Sequence, residues 1–539
     1  MNILQSCVPI FIVMTVSVPQ KISENLCFNY CNSCQPVPGS AEELLLFDQL
    51  QKGFAGQYEL FFPDNHAPKT IVVIPSLTLD QEVLSKIEGA LYYEERLLCL
   101  LMLLRMPRTH VVYISSMPID EVIIDYYLHL LPGITGLHAR ERLTLLSCYD
   151  PSCISLTEKI LQRPRLIERI RQGIPRDHVA HIASFNTTAY ERTLAVRLNI
   201  PIYGCDPALI YMGTKSGSRR AFRDARLLMP PGFEDICTFD EIVHAVAALK
   251  DMYPDLKKAV IKMNDGFSGE GNAVIEYPEG LTKKELFNWV HKNLDTKIKP
   301  VAIGMSFEAF MQKFAIMEGV VEAFIEGEEK TSPSVQCRVN PLGEVDIIST
   351  HEQDMGGESG QVFLGAHFPA KAAYSAEIAS MSKSVAEILR NKGILGRFGI
   401  DFISVKENDQ WKHYALEINL RKGGTTHPFL MLQFLTNGHY DADRGVFETP
   451  NQQQRFYFAS DNLQKDAYKG ITPYDLIEIA MFHGLHFDGA NQQGVMFHMI
   501  GAVSQFGKLG VVCIGNSPEA AHNLFEKTVA VLDAETAVR

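Results

Sequence analysis

The strongest constraint on the fold is an alternation of short apolar segments with helical ones in the first half of the chain. The apolar segments read as buried strands, and the segments between them carry apolar residues at helical spacing. The strand segments are residues 71–74, 111–114, 143–146 and 179–183, and the helical ones are residues 81–104, 120–131 and 156–172. This order predicts a parallel sheet that is covered on both faces. No glycine-rich phosphate loop follows any of these strands, so they do not indicate a dinucleotide site.

Charge and cysteine content argue against some classes of partner. The chain of 539 residues has a net charge of −13, from 63 acids and 50 bases, without a basic stripe. A nucleic-acid partner, which would require clustered Lys and Arg, is therefore not expected. The 11 cysteines are scattered along the chain, as is typical of reduced thiols in a cytoplasmic protein. The length predicts roughly three or four domains, and a homo-oligomer stays open.

The N-terminal segment carries two weak patterns. Residues 8–18 are almost wholly apolar, but the segment contains a proline, is too short to span a bilayer and has no Lys or Arg before it. We therefore expect no membrane partner, and a secretory signal is disfavoured. Three cysteines have the spacing found in radical S-adenosylmethionine enzymes, namely Cys27, Cys31 and Cys34. We interpret them as an accidental cluster in a poorly ordered tail, residues 1–41.

Two β-rich segments in the C-terminal half carry acids that a hairpin would bring together. One segment, residues 414–420, alternates. Its first face carries Leu416, Ile418 and Leu420, and its second face carries Ala415, Glu417 and Asn419. The other segment, residues 399–405, carries Asp401, and a polar turn lies between the two. Three oxygen donors on neighbouring strands suit Mg²⁺ bound to phosphate oxygens. The alternative is an acidic rim on a solvated hairpin.

Two lysines lie where they would reach a phosphate. Lys215 belongs to a polar, glycine-broken segment, in which we predict a loop and then a helix that Ser218 caps. Lys262 lies on a predicted strand, and the loop after it contains Gly266, Gly269 and Gly271. The backbone N–H groups of such a loop would approach a polyphosphate closely. The alternatives are a lysine in a solvated capping turn and a long, mobile hairpin.

A strand over residues 320–325, followed by an acidic turn, would suit the nucleoside part of a nucleotide. Backbone groups of the strand would face an adenine edge, Glu322 would meet the adenine amino group, and Glu329 would meet a ribose. The alternative is a solvated acidic surface.

Several other polar residues have a structural interpretation. The run of Glu94, Glu95 and Arg96 is typical of salt-bridged surface or interface residues. We interpret His427 and His498 as structural too. Residues 460–462 would reach a substrate cleft, although nothing in the sequence requires it.

Taken together, these motifs occur in the order and approximate spacing of the ATP-grasp superfamily. Four segments resemble more narrowly the pheganomycin-type peptide ligases, namely residues 262–271, 332–336, 368–370 and 417–428. The sequence is thus similar to ATP-grasp carboxylate–amine ligases from about residue 42 to the C-terminus. The resemblance implies an α/β (α+β) fold. Its parts would be a Rossmann-like pre-ATP-grasp domain at 42–210, an ATP-grasp domain at 211–436 with lobes 211–325 and 326–436, and a small α+β domain at 437–539.

The resemblance also implies a role for each motif residue. The phosphates of ATP would be held by Lys215 and Lys262, and the γ-phosphate would be covered by the loop with Gly266, Phe267, Ser268, Gly269 and Gly271. Adenine and ribose would be held by Glu322, Ala323, Ile325 and Glu329. One or two Mg²⁺ ions, for which Mn²⁺ would substitute, would be bound by Asp401, Glu417 and Asn419.

One position departs from the pattern of the family. Many ATP-grasp enzymes carry an arginine two residues before the metal-binding aspartate, where this chain has Gly399. Arg397 or Arg421 would then take over the contact with the transferred phosphate.

The resemblance implies an ATP-dependent ligase that activates a carboxylate as an acyl phosphate and joins it to an amine. Its substrates would be small molecules or peptides. A non-catalytic ATP-binding module for regulation or scaffolding stays open, and so does a phosphotransferase that stops after moving the phosphate. Both lysines and all three metal ligands are present, which disfavours a site that has lost its function.

Overall fold

The computed structural model describes residues 35–78, 84–85, 87–266, 271–300, 305–356 and 362–537. The apolar segment 8–18 and the cysteines at 27, 31 and 34 lie outside these residues. What we expect of them stays a prediction. Within the described part of the chain, no helix combines the length and the apolar character that crossing a bilayer requires.

The first part of the chain contains the predicted parallel sheet. Its strands are β1 (Lys69–Ile74), β2 (Thr109–Ser115), β3 (Leu143–Ser147) and β4 (Val179–Ser184). They are hydrogen-bonded in the order β3-β2-β1-β4, and every pair is parallel. Val73 and Val72 belong to two different core clusters, so both faces are covered. The α-helices of this part are Ala41–Phe61, Glu121–His129, Gly136–Arg140, Leu156–Leu161, Pro164–Gln172 and Ala189–Leu198.

Two helices of this region differ from their predictions. The segment predicted as a helix over 81–104 contains a 3₁₀ helix, Ala90–Arg105. Its residues 97–102 are all buried, so no polar face marks the helical period in the sequence. The segment 156–172 forms two helices, because Pro164 occupies the first turn of the second one. Proline is favoured there and cannot donate a hydrogen bond to a preceding turn.

An antiparallel sheet of five strands follows. Its strands are β5 (Gly232–Ile236), β6 (Lys258–Met263), β7 (Asn272–Glu276), β8 (Lys299–Pro300) and β9 (Gly319–Ala323), in the order β5-β9-β6-β7-β8. The helices of this region are Lys215–Asp224, Phe239–Met252, Lys283–Lys297 and Phe307–Met317, and the 3₁₀ helix Pro207–Gly213 precedes them. Thr282 and Glu285 form a capping box at the start of the helix Lys283–Lys297.

The largest sheet has eight strands and is antiparallel throughout. Its strands are β10 (Glu329–Val339), β11 (Val345–Gly356), β12 (Val362–Phe368), β13 (Gly396–Glu407), β14 (Gln410–Asn419), β17 (Phe456–Gln464), β18 (Gly494–His498) and β19 (Lys508–Gly515). Their order is β14-β13-β10-β11-β12-β17-β19-β18, so one sheet crosses the predicted boundary at residue 436. The division into domains stays a prediction. A separate pair is β15 (His439–Asp441) with β16 (Val446–Glu448).

Helices and short turns complete this part. The α-helices are Ser375–Asn391, Thr426–Thr436, Pro473–Phe482, Val503–Phe506 and Pro518–Ala537, and the 3₁₀ helices are Asp466–Tyr468 and Ile500–Ala502. The segment after β14 joins the two halves of the molecule, because Lys422 N donates to Phe185 O at 3.0 Å just beyond β4. The ends of β4 and β14 are therefore held together.

The predicted hairpin exists as β13 and β14, but a bulge changes which side chains of β14 face the core. Asp401 pairs with Glu417, whereas Phe402 pairs with Ala415, so Leu416 has no partner opposite it. Such an insertion reverses the alternation beyond it. Ala415 is therefore buried in the core and Leu416 lines the cleft. The prediction that Leu416 shares a face with Ile418 and Leu420, and Ala415 with Glu417 and Asn419, was therefore wrong for Leu416 and Ala415.

Candidate active site

A cleft of about 610 Å³ lies between the five-stranded and eight-stranded sheets. This volume is in the range of small-molecule sites. The sequence-predicted residues that line it are Lys215, Lys262, Gly266, Glu322, Ala323, Ile325, Asp401, Glu417, Asn419 and Arg421. The structure therefore brings together residues that are more than 200 positions apart in the sequence.

The three oxygen-bearing side chains of the hairpin form one cluster. Asn419 Nδ2 donates to Asp401 Oδ2 at 2.9 Å and to Glu417 Oε1 at 3.2 Å. Gln353 Nε2 donates to the other oxygen, Asp401 Oδ1, at 3.0 Å. The register pairs Asp401 with Glu417 and Gly399 with Asn419, so the hairpin itself fixes the cluster. A Cβ at Gly399, opposite Asn419, would lie only 3.0 Å from Gln336 Nε2.

The pKa values of the two carboxylates are shifted in opposite directions. Burial, together with the nearby charge of Glu417, raises the pKa of Asp401 to about 6. Burial also acts to raise the pKa of Glu417, but the ion pair with Lys215 and the charge of Lys262 outweigh it and hold that pKa at about 2. Two close carboxylates with one strong counter-ion are an arrangement that a cation stabilises.

Lys215 is placed by the start of a helix and not by a loop. Thr214 is the N-cap of the helix Lys215–Asp224, and its side chain accepts from Gly217 N. The prediction that Ser218 caps this helix was wrong: Ser218 is buried in the helix, and its Oγ accepts from Ile418 N at 2.9 Å. This bond ties the helix to β14, and the Lys215 ammonium forms an ion pair with Glu417.

Lys262 contacts a buried acid. Glu322 on β9 is 3% exposed and forms ion pairs with Lys262 and with Arg219, the latter at 3.3 Å. The two strands are neighbours in the sheet, so their register sets the first pair. A buried carboxylate between two cations acts first as their counter-ion. The structure therefore gives Glu322 a partner that the sequence reasoning did not foresee.

The remaining predicted residues divide into three groups. Phe267, Ser268 and Gly269 lie outside the described residues. Gly271 lies directly before β7, and its carbonyl accepts a hydrogen bond from Met263 N at 2.9 Å. Glu329 does not line the cleft but is half-exposed beside Lys371, at 3.3 Å.

The two candidate arginines lie in different places. Arg421 lines the cleft, and burial lowers its pKa while Glu417 and Asp401 act in the opposite direction. Arg397 is absent from the residues that line the cleft. It lies across the sheet from Arg338, and burial together with that charge lowers its pKa to about 10. The geometry therefore favours Arg421.

Sequence reasoning missed the part of the cleft that comes from the first sheet's region. Tyr93, Arg96 and Phe185 line the cleft, and Arg96 is only 5% exposed. We interpreted Glu94, Glu95 and Arg96 as surface or interface residues. The surface location was wrong, since all three side chains are buried. The available signal was three charges inside an otherwise apolar segment, which is rare unless the charges are paired. Asp461 and Asn462 also line the cleft, in agreement with the expectation that residues 460–462 reach it.

Two family models match this chain. The model described as "IQCH-like, ATP-grasp" matches residues 207–302 and 283–443. The model described as "PGM1 C-terminal domain" matches residues 475–528. The first match spans the helix with Lys215, the strand with Lys262 and the hairpin with Asp401 and Glu417.

Two proteins of known name are similar along most of the chain. The L-propargylglycine–L-glutamate ligase of Streptantibioticus cattleyicolor is 26% identical over 472 residues, which is 86% of this chain and 94% of that protein. The IQ motif-containing protein H of Danio rerio is 21% identical over 519 residues, which is 87% of this chain. This chain spans 49% of that longer protein.

A solved structure shares the fold. The biotin carboxylase domain of the Hydrogenobacter thermophilus 2-oxoglutarate carboxylase, determined with MgADP, ADP and bicarbonate, has a TM-score of 0.51 and 12% sequence identity. The match covers 85% of this chain and 89% of that one. At this identity the similarity shows the fold alone.

Proposed function

Because the chain belongs to the ATP-grasp family through residues 207–443, we propose that it is an ATP- and Mg²⁺-dependent ligase that joins the carboxylate of one amino acid to the amine of another. The observation that carries the proposal is the cluster of Asp401, Glu417 and Asn419 beside Lys215 and Lys262 in one cleft. The bacterial relative, whose name states a ligation of two amino acids, supports this substrate class.

The donor set of the hairpin fits Mg²⁺. Asp401, Glu417 and Asn419 offer hard oxygen atoms, which Mg²⁺ prefers. In this structure the amide nitrogen of Asn419 donates to both carboxylates. The side-chain amide would therefore have to rotate to direct its oxygen toward a bound ion. These three residues would hold one or two ions, and the bound metal would offset negative charge on the phosphate oxygens.

The lysines would exchange one anion for another when ATP binds. Lys215 is paired with Glu417, and Lys262 with Glu322. Each ammonium is thus already held at the cleft, and the phosphates would replace or share its carboxylate partner. We propose that backbone groups near Ile325, which lines the cleft, face adenine. The loop from Gly266 to Gly271 would cover the γ-phosphate. Glu329 stays a proposal for the ribose, although it lies beyond the cleft wall.

The proposed reaction has two steps. An oxygen of the donor carboxylate attacks the γ-phosphorus, the bond to the bridging oxygen breaks, and ADP leaves with that electron pair. The amine then attacks the carbonyl carbon of the acyl phosphate, phosphate leaves, and the proton of the amine passes to phosphate or water. Arg421 would contact the transferred phosphoryl group, because its guanidinium lines the cleft beside the acids. We further propose that the protein works in the cytoplasm, since every cysteine among the described residues is a free thiol.

Hydroxylamine trapping tests the proposed reaction. Purified protein with ATP, Mg²⁺, a mixture of the twenty protein amino acids and hydroxylamine is expected to yield amino acid hydroxamates, and ADP in an amount equal to the hydroxamates and dipeptides together. Removing Mg²⁺ with a chelator should abolish both products. A phosphotransferase would instead give a stable phosphoester, and a non-catalytic module would give neither product; either result would refute the ligase.

A substitution of Glu322 tests whether this acid acts as a counter-ion or reads the base. Glu322→Gln is expected to change kcat/KM for ATP and for inosine triphosphate by the same factor, within about twofold. The reason is that Glu322 already binds Lys262 and Arg219, and inosine carries a carbonyl oxygen where adenosine carries the amino group. A tenfold or larger loss of the preference for ATP would instead assign Glu322 to the adenine amino group.

A further inference from the structure

A second group of charged residues lies on the wall of the cleft that the first sheet's region supplies. Arg96 projects from the 3₁₀ helix Ala90–Arg105, and its guanidinium lies 4.5 Å from the ring centroids of both Tyr93 and Phe185. Its Nη1 lies 3.3 Å from Asp461 Oδ2. Among the described residues, Arg96 Nε has no hydrogen-bond partner. Because Arg96 also lines the cleft, its flat guanidinium suits a planar anion such as a carboxylate.

Asp461 is held from behind by two histidines. His498 Nε2 lies 2.6 Å from Asp461 Oδ1, and His427 Nε2 lies 3.4 Å from the same oxygen. Burial favours the neutral acid, but these two contacts outweigh it and hold the pKa of Asp461 well below its usual range. The other oxygen, Oδ2, is the one nearest the Gly424 turn, which lines the cleft. Asp461 therefore offers a charged oxygen toward the cleft.

The group does not suit a metal ion. The ligand atoms of His427, Asp461 and His498 lie within 4.8 Å of one another, which is the right size for one. However, the Arg96 guanidinium contacts the same carboxylate, and a second cation there would be repelled. A ligand that carries both a negative and a positive group fits better, because Arg96 and Asp461 present one charge of each sign side by side.

We propose that Arg96 and Asp461 form the head-group site of the amine substrate and that this substrate is an unprotected α-amino acid. The α-carboxylate lies against the Arg96 guanidinium, and the amino group donates to Asp461 Oδ2. His498 and His427 are positioning residues that fix the carboxylate of Asp461. This inference rests on the proposed ligase function and adds to it the residues that choose the amine.

The site has a consequence for specificity. An amine without an adjacent carboxylate brings no acceptor to the buried Arg96 guanidinium, while its amino group competes with Arg96 for the carboxylate of Asp461, and weakening the partner of a buried charge is costly. An α-amide of an amino acid has the same size but lacks the negative charge. The ligase is therefore expected to prefer amino acids over their α-amides as the amine substrate.

A competition experiment tests the site. The protein is given ATP, Mg²⁺, the twenty amino acids as carboxylate donors and an equal concentration of their primary α-amides, and the products are counted by mass spectrometry. The wild-type protein is expected to form at least about ten times more dipeptide than dipeptide amide. In Arg96→Leu this preference falls below about twofold. Arg105→Leu is the matched control, because Arg105 lies on the same 3₁₀ helix and over the Phe434 ring, but does not line the cleft.

The hydroxylamine reaction separates the two hypotheses. Hydroxylamine does not need a head-group site, so hydroxamate formation reports only the activation of the donor. In Arg96→Leu and in Asp461→Asn the ratio of amide to hydroxamate should fall at least about tenfold, whereas Arg96→Lys, which keeps the charge, should lose less. Hydroxamates without any preference for amino acids over their amides would overturn the head-group site and leave the ligase standing. Absence of hydroxamates in the wild-type protein would overturn the ligase itself.

Discussion

Replacing Glu417 by Gln is expected to lower ATP-dependent ADP formation by about 10³-fold, which corresponds to roughly 4 kcal/mol of lost transition-state stabilisation. Glu417 is a candidate metal ligand and the ion-pair partner of Lys215. Glutamine keeps the size and removes the charge, so both contributions are lost together. The fold should persist, because the side chain lies at a cleft wall and its strand is paired along its length by backbone bonds.

A control for this substitution lies on the same hairpin. Glu407 is at the far end of β13 and forms an ion pair with Lys412 at 2.5 Å, away from the cleft. Glu407→Gln removes the same charge from the same hairpin and should leave ADP formation within about twofold. The measurement is the initial rate of ADP release at saturating Mg²⁺. A Glu417→Gln variant that keeps the wild-type rate would refute the metal assignment.

Local patterns predicted those parts of the fold that depend on a few neighbouring residues. The four strands of the first sheet and their parallel direction follow from apolar segments separated by helices, and the structure confirms both. The hairpin follows from the alternation on both sides of a polar turn. That turn has positive φ at Asn408 and Asp409, 50° and 61°, which are residues that tolerate this backbone conformation.

Longer-range features could not be read from the sequence. The bulge beside Asp401 depends on how two strands pair, and no residue type in either strand marks the extra position. The pairing of Lys262 with Glu322 joins residues 60 positions apart, whose relative placement is set by the sheet order. The contribution of Arg96 to the cleft depends on how the first sheet's region packs against the eight-stranded sheet, which local periodicity does not specify.

The second large effect is expected at Lys262. Lys262→Met should weaken ATP binding by about 100-fold, or roughly 3 kcal/mol, because it removes the partly buried ammonium that we propose contacts the phosphate oxygens. The folded protein should survive the change, since Glu322 keeps its ion pair with Arg219 at 3.3 Å. Lys258→Met is the matched control: Lys258 lies on the same strand and pairs with Glu276 at 3.4 Å, outside the cleft lining.

The double variant Lys262→Met with Glu322→Gln separates phosphate binding from stability. Losing Lys262 leaves Glu322 buried with one cation in place of two, which lowers the midpoint of thermal unfolding; removing the charge of Glu322 as well should recover part of that loss. The affinity of the double variant for ATP, measured by titration calorimetry, should remain about 100-fold lower than that of the wild-type protein. If the second substitution restored ATP binding, Lys262 would act only by neutralising Glu322, and its contact with the phosphates would be refuted.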